Sequence, residues 1–295
     1  MKLENTAAEP CGVVVVDKPV GMTSFDVVAK IRRIYGTRRV GHTGTLDPDA
    51  TGVLVVLVGR AAKATEYITV GKKQYTAVMR LGITTDTEDT SGKVLTECDD
   101  VPSESEVVFA AESFTGEYMQ VPPMYSALKR DGEKLVDLAR RGITVEREAR
   151  RVEIYSLTAQ KLTDTDYELA VECSHGTYIR TLCADIGQKL GCGGCMASLR
   201  RGETGGFTLA DAATLDEIAA SPTEHLLKTD ALFSELPSEK FVGKRLAAVK
   251  NGVAVPVGGE LENGARVRLY DGDGTFFGLG EVKNGTVKCI KFFVL

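Results

Sequence analysis

Long apolar runs are missing from this chain of 295 residues. The longest apolar stretches, residues 13–16 and 53–58, fall far short of the roughly 20 residues that a membrane-spanning helix needs. The first ten residues are polar and acidic, which is not the pattern of a secretory signal peptide. We therefore expect a globular, cytoplasmic protein with no membrane partner.

Patterns that would bind a metal are scarce as well. Histidine occurs three times, and the single Cys-x-x-Cys pair, Cys192 and Cys195, has neither a second pair nor histidines at ligand spacing. The seven cysteines are an odd number in a chain of this size, which favours free thiols in a reducing compartment over a disulfide framework. No metal site is expected from these residues.

Signatures of several enzyme classes are also absent. The glycine-rich stretches lack the Gly-Lys-Ser/Thr ending of a P-loop and the dinucleotide-binding fingerprint. Serine or cysteine nucleophile motifs do not occur. Most glycoside hydrolysis needs two carboxylates, whereas Asp47 alone is framed by turn residues, although Asp49 is close in sequence.

Residues 41–54, with the sequence GHTGTLDPDATGVL, have the pattern of neither a helix nor a strand, which predicts a loop. Its single framed carboxylate, Asp47, precedes a proline, which restricts it to extended geometry, and the glycines permit positive φ. Such a backbone can hold a reactive group still. A plain surface turn is the alternative explanation.

Two other polar residues occupy positions where an apolar one is expected. Tyr75 shares a strand face with Ala77 and Met79, and Arg180 lies beside the apolar stripe of a helix that begins at Thr177. An arginine there either extends to solvent or pairs with a buried acid. If the fold joins Asp47, Tyr75 and Arg180, the arginine keeps the carboxylate ionised. These residues alone predict a carboxylate-centred enzyme that acts on an anionic substrate.

Charge is distributed unevenly along the chain. The net charge is −5, but residues 81–120 hold ten acidic residues and one lysine, so the remainder is net positive. A basic surface around the 41–54 loop could meet phosphates, although a solvated charged face is the alternative. The basic residues in question are Lys30, Arg32, Arg33, Arg38, Arg39, Arg60, Lys63, Lys72, Lys73 and Arg80.

Periodicity predicts alternating strands and helices followed by a β-rich tail. A helix capped by Thr23 or Ser24 and closed by Gly36 should bury Phe25, Val28 and Ile31. The segment 199–201 should lead into a glycine-rich turn. The other predicted strands are 13–17, 53–58, 73–81, 93–95, 152–157, 167–173, 266–270, 276–280 and 287–293, and the other helices 59–67, 104–113, 133–141, 177–190, 216–220 and 245–251.

The chain resembles the TruB-type tRNA pseudouridine synthases through six motifs in the family's order. Where that family often has Ala-His before the last of them, this chain has Gly194-Cys195. The six motifs are GVVVVDKPVGMTS at 12–24, GHTGTLDPDATG at 41–52, KQY at 73–75, PPMYSAL at 122–128, GTYIR at 176–180 and LRR at 199–201.

The resemblance implies an α+β fold with a mixed, mainly antiparallel central sheet and flanking helices. Residues 1–237 would form the catalytic domain, with an RNA-gripping insertion at about 122–151. Residues 238–295 would form a small β-rich, PUA-like RNA-binding domain.

It also implies isomerisation of uridine to pseudouridine in the T-loop of tRNA, by convention position 55, by a monomer without cofactor or metal. The partner would be the T-arm stem-loop. Asp47 would be the catalytic carboxylate, attacking either C6 of the base or C1′ of the sugar. Arg180 would pair with it, and Tyr75 would stack on the base and help to remove the C5 proton.

Three further residues would contact the target nucleotide. Tyr178 and Leu199 would line the uridine pocket, and His42 would hold or displace the flipped nucleotide. A tRNA-binding or tRNA-folding protein with incidental catalysis is the alternative, and a glycosidase that releases the base is another.

Overall fold

The computed structural model describes residues 9–68 and 71–293. Most of the N-terminal stretch on which the signal-peptide prediction rests, residues 1–8, lies outside that range. Among the described residues, no helix is both long and apolar enough to cross a membrane.

A nine-stranded sheet forms the body of the molecule. Its order is β1-β3-β12-β4-β11-β10-β7, with β2 added beside β3 and β13 beside β12. Within the described residues, β3 and β12 are its one parallel pair of strands, which confirms the predicted mixed, mainly antiparallel sheet. The first thirteen strands are β1 Gly12–Lys18, β2 Val40–His42, β3 Thr51–Val58, β4 Lys73–Leu81, β5 Ile83–Thr85, β6 Val94–Glu97, β7 Gly116–Gln120, β8 Lys129–Arg130, β9 Glu133–Lys134, β10 Arg150–Lys161, β11 Asp166–Cys173, β12 Gly194–Thr204 and β13 Phe207–Thr208.

The described residues form six α-helices. Those of the main body bury apolar residues such as Val27, Ile31, Leu182 and Ile186 against one face of the large sheet. The opposite face of β1 and β3 is covered by residues around the 3₁₀ helix Gly59–Glu66, so these strands are buried on both sides. The helices are α1 Ser24–Tyr35, α2 Glu104–Glu112, α3 Leu135–Arg140, α4 Ile179–Leu190, α5 Leu215–Ala220 and α6 Gly243–Lys250.

The start of α1 corrects one sequence expectation. Thr23 caps the helix with a capping box, and Gly36 closes it at φ +63°. Phe25, however, is 67% exposed. The buried stripe starts instead at Ser24, whose hydroxyl exchanges hydrogen bonds with the backbone of Leu46, and this rotation turns Phe25 outward.

Strand β12 was not predicted from the sequence. Residues 199–201 do not merely lead into a turn, because they lie within an eleven-residue strand that joins β3 to β4 at the centre of the sheet. Glycines, adjacent arginines and two register shifts obscure its alternation. Smaller differences concern 59–67, which is 3₁₀ rather than α, and the starts of α3 and α4, two residues later than predicted.

The tail forms a separate five-stranded sheet, order β14-β16-β17-β18-β15, with α6 packed against it. This confirms the predicted small β-rich module. An aromatic cluster that includes Phe233, Phe276 and Phe293 joins it to the main body, and Tyr270 donates to Asp230 at 2.7 Å. Its strands are β14 Ser238–Lys240, β15 Val255–Pro256, β16 Arg266–Tyr270, β17 Phe276–Lys283 and β18 Thr286–Phe292.

Candidate active site

The loop between β2 and β3 is held in place by a buried hydrogen-bond donor. The Lys18 ammonium, fully buried, donates to the carbonyls of Pro19, Pro48 and Ala50 at 2.9, 3.0 and 2.6 Å. These bonds satisfy both the buried cation and the turn's carbonyls. The loop is therefore held in one conformation around Asp47.

Gly52 closes the loop where no other residue fits. Its φ is +99°, and a Cβ there would lie 2.2 Å from the carbonyl oxygen of Arg201 on β12. The close approach lets β3 and β12 pair in parallel beside the loop. The glycine thus serves the sheet as well as the turn.

Asp47, on the 41–54 loop, and Arg180, at the start of α4, form an ion pair. The Arg180 Nε lies 3.0 Å from Oδ2 of Asp47, and Nη2 lies 3.3 Å from Oδ1. The arginine side chain is 6% exposed, and its remaining donors bind the carbonyls of Thr87 at 3.0 Å and Tyr125 at 2.8 Å. The aspartate side chain keeps 37% exposure, so one face of the carboxylate is open.

Opposing influences set the ionisation of Asp47. Burial raises the pKa of this carboxyl above that of an ordinary aspartate, and the guanidinium of Arg180 opposes that rise. The charge of Asp89 raises the pKa further. A partly desolvated carboxylate held by one arginine is a stronger nucleophile than one in water.

The open face of Asp47 looks into a cavity of about 530 Å³. The cavity lining includes Tyr75 from β4, Leu199 from β12 and Tyr178 at the start of α4, so the structure brings these residues to one site with Asp47 and Arg180. Gln120 fixes the backbone of Tyr178, since its amide accepts from the Tyr178 N–H at 2.8 Å and donates to the carbonyl at 3.1 Å.

Tyr75 is a buried side chain in the lining of this cavity. Burial raises its pKa, and the nearby charge of Arg201 opposes the rise. The phenol therefore stays neutral at physiological pH. A neutral phenol ring in a cavity lining can stack on a planar group of a ligand.

His42 stands apart from the cavity lining. Its ring packs edge-on against Phe25, with centroids 5.9 Å apart. Its Nδ1 is buried without a hydrogen-bond partner among the described residues, and burial lowers the pKa of the imidazole. The structure thus places a neutral histidine beside the cavity mouth rather than within it.

Asp89 was not predicted as part of the site. It lies in the acidic stretch 81–120, and its Oδ2 is 3.8 Å from Arg180 Nε. Its other oxygen accepts bonds from Thr87 and Ser91, which fixes the carboxylate beside the ion pair. The preceding residue, Glu88, has a positive φ of 63°. The sequence alone does not reveal this unusual backbone conformation, so it could not be used to predict that Asp89 lies at the site.

The residues that the structure describes contain no group of three or more His, Cys, Asp or Glu side chains placed to hold a metal ion. Cys192 and Cys195 are buried free thiols, and burial raises the pKa of Cys195 to about 11. Such thiols are poor ligands and poor nucleophiles at neutral pH.

Solved structures share the whole architecture. A crystal structure of a Cbf5-Nop10-Gar1 complex matches with a TM-score of 0.73 and 27% identity, covering 96% of this chain and 85% of that one. An archaeal box H/ACA Nop10-Cbf5 complex matches with a TM-score of 0.70 and 25% identity, covering 96% and 86%. The fold is therefore that of Cbf5, including the β-rich module.

Comparison with family models identifies a family within this fold. Residues 32–179 match the TruB family pseudouridylate synthase N-terminal domain, 180–236 the tRNA pseudouridylate synthase B C-terminal domain, and 242–290 the pseudouridine synthase II TruB C-terminal domain. Together with the site, these matches define an enzyme of the pseudouridine synthase class.

Curated relatives extend along almost the full chain. The tRNA pseudouridine synthase B of Clostridium acetobutylicum is 41% identical over 284 residues, which is 95% of this chain and 98% of the relative. That of Geotalea uraniireducens is 47% identical over 248 residues, 82% of this chain and 80% of the relative. The chain belongs to the TruB family of pseudouridylate synthases.

Proposed function

We propose that this protein isomerises uridine to pseudouridine in the T-loop of tRNA, at the position numbered 55 by convention, as a cytoplasmic monomer. The named relatives support tRNA as the substrate. The observation that carries the chemistry is Asp47, clamped on one side by Arg180 and open on the other to a cavity large enough for a nucleoside.

The target nucleotide enters this cavity by leaving its stack. Chemistry on a base requires extrusion, and a flipped base is held by stacking on an aromatic ring. Tyr75 provides that ring, with Tyr178 and Leu199 forming the remaining walls. His42 and its neighbour Phe25 stand at the rim, where the displaced nucleotide passes.

The reaction balances without a cofactor, because it is an isomerisation. The bond between C1′ and N1 breaks, the base turns, and a bond forms between C1′ and C5. The hydrogen on C5 is lost as a proton and N1 gains one. Asp47 supplies the electron pair, either to C1′ or to C6, and Tyr75 is placed to assist removal of the C5 proton.

Arg180 keeps that electron pair available. Its guanidinium opposes protonation of Asp47, and its two carbonyl contacts prevent it from following the carboxylate during the reaction. Preorganised charge of this kind costs little reorganisation in the transition state.

RNA affinity would come from two other parts of the chain. The insertion at about 122–151 carries several arginines, which suit phosphate contacts, and the module at 238–295 would extend the RNA surface. We propose 1–237 as the catalytic domain and 238–295 as the RNA-binding domain on this basis.

A T-arm stem-loop RNA tests the proposal directly. The wild type should convert its target uridine, whereas Asp47→Asn, which keeps the side-chain shape, should lose at least about a thousandfold in rate. Both proteins should bind the RNA with similar Kd. Product would be measured by nucleoside mass analysis after digestion.

The alternatives predict different products. A binding or folding protein would give no pseudouridine with either protein, and a glycosidase would release free uracil. Equal product from Asp47→Asn would refute the role of the carboxylate.

A further inference from the structure

Lys73 is a cation in the substrate cavity that the reaction scheme leaves unused. It is the first residue of β4, and it lines the cavity together with Tyr75. Among the described residues no carboxylate lies within 4.0 Å of its ammonium. Its neighbour Lys72, which precedes β4, pairs with Glu172 at 2.6 Å.

A second cation stands behind Lys73. Arg201 is fully buried, and it donates from Nε to the carbonyl of Val53 at 2.8 Å and from Nη2 to that of Gly44 at 3.0 Å. Its Nη1 has no hydrogen-bond partner in the described part of the chain. A Cβ on Gly44 would lie 3.5 Å from that Nη1 and 3.7 Å from the Lys73 Nζ, so both cations flank the same glycine.

The surroundings of Lys73 do not neutralise it. Its partners in the sheet are Cys173 on β11 and Thr204 on β12, and the charge facing it from β12 is Arg201. Burial, followed by this positive charge, lowers the pKa of Lys73 to about 8. A partly buried cation without a counter-charge is costly, and an anionic ligand would remove that cost.

The position of Lys73 relative to Tyr75 indicates which anion. Residues two apart on a strand share a face and are separated by roughly 6.5 Å. If Tyr75 stacks on the target base, the ammonium lies near the sugar-phosphate backbone of the same nucleotide. Resting on the function proposed above, we propose that Lys73, reinforced by Arg201, binds a phosphodiester flanking the target uridine.

Equilibrium binding tests this contact without turnover. In an Asp47→Asn background, Lys73→Met should raise the Kd for the T-arm stem-loop at least about tenfold, as expected for a lost charged hydrogen bond. The matched variant Lys72→Met, whose ammonium already has a carboxylate, should stay within about twofold. Because Met replaces an unpaired, partly buried charge, the melting temperature of Lys73→Met should not fall.

Neutral methylphosphonates identify the ligand. Substituted at one of the two phosphates that flank the target, the methylphosphonate should weaken binding of the Lys73 protein and leave the Lys73→Met protein unaffected. The proposal is overturned if Lys73→Met binds the RNA as tightly as its parent. It is also overturned if Lys73→Met loses the same affinity whichever flanking phosphate is neutralised, because the ammonium would then contact the base instead.

A pH titration gives an independent readout. Binding requires the charged ammonium, so affinity should decline as pH rises past about 8. Lys73→Arg, which remains charged, should remove this decline, and an unchanged decline would contradict the proposal. Failure of the wild type to convert uridine would count against the proposed reaction, and these binding measurements do not depend on it.

Discussion

The two walls of the substrate cavity are built in opposite ways. The loop 41–54 is tied to the main sheet, because buried Lys18 and Arg201 donate to its carbonyls. The segment 122–151 forms the facing wall, yet its small apolar cluster around Met124 and Leu135 is separate from the main core, and more than half of its residues are exposed. Segments with few buried contacts open at low free energy.

This difference separates the chemistry from the grip on RNA. The carboxylate must stay within a few tenths of an ångström of its working position, and the core of the sheet can enforce that. A segment that closes on RNA needs freedom to adapt. Among the hydrogen bonds of the described residues, the one from Arg180 to the carbonyl of Tyr125 links segment 122–151 directly to the ion pair.

Glycine substitutions give the largest expected contrast between the walls. Gly52→Ala should cost about 4 kcal/mol or more, because its φ is +99° and the new Cβ would overlap the Arg201 carbonyl. Gly132→Ala, at φ +87° in the β8–β9 turn but with open space around it, should cost about 1–2 kcal/mol. Urea unfolding measures both, and equal losses would show that the loop is no more constrained than the hairpin.

A smaller effect is expected from arginines in the second wall. Arg140 is exposed and lines the cavity, whereas Arg141 already pairs with Glu133. Arg140→Gln should weaken RNA binding a few-fold and reduce the slope of log Kd against log salt by about one, with kcat unchanged. Arg141→Gln should change the slope less. A large loss of kcat in Arg140→Gln would instead tie this wall to the chemistry.

The loop 41–54 and the elements next to it, β1 and α1, are the parts of the molecule that the sequence predicts well. Strand β1 follows from an uninterrupted run of valines, and α1 from its cap at Thr23 and its closing Gly36. Both are determined by local signals. The turn residues around Asp47 are equally local, so the loop could be recognised before its surroundings were known.

The remaining parts depend on contacts between distant segments. Strand β12 is specified by pairing with β3 and β4 rather than by its own alternation, and Phe25 faces outward because Ser24 bonds to Leu46, twenty-two residues away. Asp89 enters the site because the acidic loop folds back over Arg180. The periodicity of the sequence does not predict that this segment packs against Arg180.

The smallest expected effect, and the most specific test, concerns the influence of Asp89 on the pKa of Asp47. Burial and the charge of Asp89 both raise the pKa of Asp47, so the ionised form is lost, as pH falls, earlier than for an ordinary aspartate. Asp89→Asn should therefore move the acid limb of kcat/KM to lower pH, because that limb reports the free enzyme. Asp86→Asn, which removes a charge from the same loop at a residue that is not among the influences on Asp47, should leave the limb in place. A limb that stays fixed in Asp89→Asn, or moves upward, would show that Asp89 acts on the position of Arg180 rather than on the charge of Asp47.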